Sequence, residues 1–175
     1  MLLRSSLCNF CAGADVTLFD SAERGETPDL PVLELLRAFD ALPIPIVAAV
    51  HGVCLGGGLE LAMACDLIVA SESARIGNIE ASLGLNPLMG GIQRITQRAG
   101  AARAKEMALL GRRYDARTLE RWNIINRVVA DEQLAAVTTA LAQELANGPT
   151  VAHASTKAIV SHAISHGVSE IDEAM

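Results

Sequence analysis

Four consecutive segments between residues 44 and 70 decide the fold: Ile44-Pro45-Ile46-Val47-Ala48-Ala49-Val50, His51-Gly52-Val53-Cys54-Leu55-Gly56-Gly57-Gly58, Leu59-Glu60-Leu61-Ala62-Met63-Ala64-Cys65 and Asp66-Leu67-Ile68-Val69-Ala70. The first is a continuous apolar run, which suits a strand covered on both faces. The second is a glycine-dense turn, the third reads as a short helix, and the fourth as another covered strand. Strand, glycine turn, helix, strand is the order of an α/β unit.

Working outward, residues 1–7 read as a strand with a turn near Cys8-Asn9, and residues 16–31 as a polar surface loop. The apolar spacing of residues 30–39 predicts a helix, which Pro43 and Pro45 stop. Residues 77–91 read as a glycine- and proline-rich loop, and the chain beyond Ile92 as largely helical. Helices are expected over 101–110, 118–122, 131–147 and 150–166, with a short strand at 126–129. No linker divides the chain, so one domain over 1–175 is expected.

Hydrophobic residues make up 51% of the 175 and aromatic residues only 3%, so aliphatic side chains must fill the core. A chain of this size buries roughly 70% of its unfolded surface and needs no metal or disulfide staple. The net charge of −6 argues against a nucleic-acid binder, because phosphate binding needs a basic face. No apolar run is long enough for a membrane span, and the opening Met1-Leu2-Leu3-Arg4 is too short for a signal peptide, so a soluble cytoplasmic protein is the expectation.

Cys8 and Cys11 have a C-x-x-C spacing, but Cys54 and Cys65 do not supply the second pair a zinc site wants. All are expected to be small buried hydrophobes, and no metal site is expected. His162 and His166, four apart on a helix, lack the third ligand a metal needs and read as surface histidines. Arg112, Arg113 and Lys157 read as solvated charges, and Asp66 as a brace for its turn.

Three constellations carry chemistry. Gly56-Gly57-Gly58 opens the helix of Glu60, where free N–H groups and the dipole favour a phosphate or a developing oxyanion. The phosphate-loop and dinucleotide glycine patterns are both absent, and tight packing of helix on strand is an equal alternative. Phe10-Cys11-Ala12-Gly13-Ala14-Asp15 is a second small-residue turn, and two such turns could each supply one N–H to an oxyanion hole. Glu60 and Glu80 are two acids in apolar neighbourhoods, suited to general acid–base work, although ordinary solvated acids are the commoner case.

Together these segments resemble the enoyl-CoA hydratase/isomerase (crotonase) family. Residues 10–15 resemble its F-x-A-G-A-D segment, and 52–66 its G-x-x-x-G-G-G-x-E-L-A-x-x-x-D signature. Gly90-Gly91-Ile92-Gln93-Arg94 resembles its G-G-x-Q-R segment. The resemblance implies an α/β crotonase-like (ClpP/crotonase) fold, with short stacked β-sheets surrounded by helices. It implies oxyanion donors at Ala14 and Gly57, catalytic carboxylates at Glu60 and Glu80, and substrate contacts at Ala12, Gly13, Asp15, Gly56 and Leu88. The implied reaction is reversible hydration of a 2-enoyl-CoA thioester, with coenzyme A entering as part of the substrate and no separate cofactor. An enoyl-CoA isomerase, or a non-catalytic remnant that binds acyl-CoA, RNA or a partner subunit, is the alternative. Keeping both acids favours hydration, and the acidic net charge disfavours RNA.

The sequence departs from the family pattern at Leu88, where a glycine usually backs the water pocket, and at Trp122-Asn123. It also resembles a member shortened at both ends, with homotrimer or dimer-of-trimers assembly expected if those ends permit.

Overall fold

The computed structural model of the chain describes residues 1–15, 32–87 and 89–166. The loop read at 16–31 and the side chain of Leu88 therefore lie outside the described residues. Among them, seven strands form two sheets. The first has the order β1 (Leu2–Leu3), β2 (Val47–Val50), β4 (Leu67–Ser71), β7 (Arg127–Val129), all parallel. The second has β3 (Val53–Leu55) parallel to β5 (Arg75–Gly77), and β5 antiparallel to β6 (Tyr114–Asp115).

The chain passes from the first sheet to the second within His51-Gly52. Gly52 takes φ 57°, and a Cβ there would stand 2.4 Å from the Cys8 carbonyl oxygen, so only glycine fits. The pattern repeats, β2 and β3 followed by helix α2 (Gly57–Met63), then β4 and β5 followed by α3 (Gly91–Leu110). The other helices are α1 (Val32–Ala41), α4 (Ala116–Arg121), α5 (Leu134–Ala146) and α6 (Thr150–His166).

The continuous apolar run of β2 is explained by cover on both sides. Val47 and Ala49 face α5 together with Val69, while Ala48 and Val50 enter the larger core with Ile68, Leu59 and Ile95. Each such buried Val, Leu or Ile side chain contributes roughly 1.5–3 kcal/mol of transfer free energy.

Several expectations need correction. The first strand is only two residues long. The presumed turn at 51–58 contains β3, and β5 and β6 had no apolar run long enough to announce them. The helix expected at 101–110 is the second half of α3, which bends at Gly100 (φ 81°, ψ 165°). Cys54 and Cys65 are buried, but Cys8 is exposed. His162 and His166 stack with ring centroids 4.4 Å apart. Lys157 is not a solvated charge, since its Nζ donates to Asp66 Oδ2 at 2.8 Å and to the Ile44 carbonyl at 3.1 Å. Asp66 also accepts from the Ile46 N–H at 2.7 Å, the bracing role expected of it.

Candidate active site

Parallel pairing of β3 with β5 aligns Leu55 with Gly77, and the Gly56 N–H donates to the Gly77 carbonyl at 3.0 Å. Glu60 lies five positions beyond Leu55 and Glu80 three beyond Gly77. Two acids twenty apart in sequence thus emerge from the carboxyl ends of adjacent strands, where open α/β sheets place their ligands.

Glu80 begins a 3₁₀ turn, Glu80–Leu83, rather than standing in an irregular loop. Gly84 ends that turn in the left-handed region at φ 71°, and the Leu85 N–H donates back to the Glu80 carbonyl at 2.9 Å. The Glu80 carboxylate leans toward the glycine triplet. A Cβ on Gly56 would stand 3.3 Å from Glu80 Oε1, and Gly56 also holds φ 53°, ψ −125°, which a side chain would resist. Glu80 Oε2 is buried with no hydrogen-bond partner among the described residues.

Glu60 is 2% exposed. Its Oε1 accepts two backbone hydrogen bonds, from Met89 N–H at 2.9 Å and Gly91 N–H at 2.8 Å. Burial pushes its carboxyl above the ordinary glutamate range; the two N–H donors oppose the shift, Glu80's charge adds to it and Arg94's opposes it. Arg94 pairs with Asp40 at the end of α1, at 2.9 Å.

The two small-residue turns meet backbone against backbone. The Phe10 N–H donates to the His51 carbonyl (2.9 Å), Cys11 N–H to Val53 (3.2 Å) and Leu55 N–H to Cys11 (3.0 Å), so residues 10–11 run alongside β3. A Cβ on Gly13 would lie 3.5 Å from Gly57 N, and one on Gly57 would lie 3.7 Å from Ala14 N. The amides of Ala14 and Gly57 therefore border one spot. Gly57 is in the first turn of α2, where N–H groups have no acceptor within the helix. Gly58 permits the approach, because a Cβ there would stand 2.2 Å from the Cys11 carbonyl oxygen.

Ala12, Gly13 and Asp15 flank Ala14 on this turn, with Ala12, Ala14 and Asp15 exposed and Gly13 half-buried. In the sequence Gly90-Gly91 and Arg94 stand out only as a motif, and nothing there marks Met89. Met89 and Gly91 are the residues that hold the Glu60 carboxyl, through backbone groups that no side-chain pattern reports. Two cavities, of about 530 and 450 Å³, are lined by other residues.

A two-sheet α/β fold in which two small-residue turns meet at the strand ends that carry two glutamates defines the class of protein to which this chain belongs. The family model described as enoyl-CoA hydratase/isomerase matches residues 2–173, and the chain belongs to that family. It is 39% identical over 155 residues to a carnitinyl-CoA dehydratase of Proteus mirabilis, covering 86% of this chain and 58% of that protein. It is 40% identical over 148 residues to a mevalonyl-coenzyme A hydratase of Aspergillus fumigatus, covering 81% and 53%. Among solved structures, an enoyl-CoA hydratase of Geobacillus kaustophilus superposes with a TM-score of 0.83 at 37% identity, covering 94% of this chain and 64% of that one. A putative enoyl-CoA hydratase of Streptomyces coelicolor gives 0.91 at 28%, covering 98% and 65%. The fold is the expected crotonase fold, and the chain spans a little over half the length of the curated relatives it matches.

Proposed function

We propose that the site adds water reversibly to a 2-enoyl-CoA thioester. The observation that carries this reading is the meeting of Ala14 and Gly57 amides beside Glu60 and Glu80. In this reading the two N–H groups donate to the thioester carbonyl oxygen as the thioester becomes an enolate. One such donor is typically worth about 2.7–4 kcal/mol of transition-state stabilisation.

A water molecule is held between the carboxylates. One of them takes an O–H proton as the oxygen bonds to the β-carbon, and the other delivers a proton to the α-carbon. The sum is one water added across the double bond. The unpartnered Glu80 Oε2 supports a water-binding role, and burial suits Glu60 to exchanging a proton. Ala12, Gly13, Asp15, Gly56 and Leu88 border the substrate in this scheme, which asks for no separate cofactor. A cytoplasmic location and homotrimeric assembly belong to the same reading. The relatives named above as a dehydratase and hydratases support water chemistry over isomerisation.

The test is purified protein with crotonyl-CoA, following loss of the enoyl thioester absorbance, with Glu80→Gln beside it. Turnover to a 3-hydroxyacyl-CoA that falls roughly 10²–10⁴-fold in the variant is expected. A shifted double bond without water uptake would replace hydration with isomerisation. Thioester binding without turnover would leave a non-catalytic binder.

A further inference from the structure

Met89 enters the site twice. Its backbone N–H donates to Glu60 Oε1 at 2.9 Å. Its side chain reaches to the Gly57 turn, where its methyl carbon would stand 2.6 Å from a Cβ placed on Gly57. The Cβ position on Gly57 is itself 3.7 Å from Ala14 N. The Met89 methyl thus lies against the Gly57 turn, around a position that the Ala14 amide also borders. Half-buried, Met89 packs from there onto the main core.

We propose that Met89 determines specificity at the α-carbon. Its side chain is the wall that the α-position of the acyl chain meets, so the site accepts 2-enoyl thioesters with hydrogen there and rejects those with an α-methyl branch. The inference rests on the reading of the site as a thioester site. Two physical points support it. Glu60, anchored by the Met89 N–H, fixes the backbone from which the side chain projects, so the wall cannot retreat as a whole. Methionine is unbranched with three rotatable bonds, so its end can swing aside for an unbranched chain while still filling the space a branch would need. A single methyl or methylene in a close-fitting pocket commonly changes kcat/KM by 10–200-fold.

The experiment compares kcat/KM for crotonyl-CoA and 2-methylcrotonyl-CoA in the wild-type chain, Met89→Ala and Met89→Leu. The expected result is a rise of about 10-fold or more in the branched-to-unbranched ratio for Met89→Ala, with Met89→Leu, of similar volume, within about 3-fold of wild type. An unchanged ratio in a folded, active Met89→Ala protein would overturn the assignment. Should Met89→Ala fail to fold, Met89→Val carries the same comparison.

If no variant turns over either thioester, the proposed function falls, and calorimetric titration with butanoyl-CoA and 2-methylbutanoyl-CoA still decides the role of Met89. A gain of about 10-fold confined to the branched ligand supports the wall, and equal changes for both, or none, refute it.

Discussion

Gly91 donates its N–H to Glu60 Oε1 at 2.8 Å, and a Cβ on Gly91 would stand 2.8 Å from that same oxygen. The glycine at the start of α3 therefore provides the anchor of the Glu60 carboxyl and, by lacking a side chain, the room for it. Glu60 lies under the chain with almost no exposed surface, so it has nowhere to retreat.

Gly91→Ala is accordingly expected to push the Glu60 carboxyl off its two donors. Overpacking of this kind costs about 1–3 kcal/mol, and displacement of a catalytic group by about 1 Å costs on the order of 10²-fold in rate. Urea unfolding and crotonyl-CoA turnover check the two effects separately. Wild-type values in both would show that the carboxyl is not held as described.

Burial raises the Glu60 carboxyl above its ordinary value, and that shift makes stability depend on pH. Below the unfolded-chain value, about 4.3 for glutamate, folded and unfolded chains both keep the proton. As pH rises from there, the unfolded chain releases its proton first. The folded state then binds more protons, so stability falls with rising pH until the raised folded value has been passed. Glu60→Gln removes the titration while leaving an oxygen that can accept from Met89 and Gly91. The difference in unfolding free energy, variant minus wild type, should therefore increase from about pH 4 upward and then level off. Parallel pH profiles would contradict the raised value.

Asp66 and Lys157 join the start of β4 to α6. Their 2.8 Å pair has side chains 29% and 13% exposed, and each partner also holds backbone groups near the start of β2. Asp66→Ala strands both a partly buried ammonium and the Ile46 N–H, and should cost about 1–3 kcal/mol. Lys157→Met keeps the apolar stem and should cost less. Equal losses in urea unfolding, or a larger loss for Lys157→Met, would show that Asp66 is not satisfied without Lys157.

The unevenness of the sequence reading has physical causes. β2 and β4 were legible because burial on both faces demands an unbroken apolar run. β5 and β6 were not, because Arg75-Ile76-Gly77 and Tyr114-Asp115 owe their strand geometry to pairing with each other and, for β5, with β3. The start of α3 at Gly91 was not legible, since Gly90-Gly91 reads locally as loop until Glu60 accepts the Gly91 N–H.

The sequence by itself determined the α/β class, the two glycine-bearing turns and the presence of two acids in apolar surroundings, because apolar periodicity and glycine content are local properties of the chain. Only the tertiary structure decided that Leu55 pairs with Gly77, which brings Glu60 and Glu80 to one sheet end, that the Ala14 and Gly57 amides border one spot, and that Met89 stands beside them. Those facts depend on strand register and on contacts between backbone atoms far apart in sequence, and such atoms are the same in every residue.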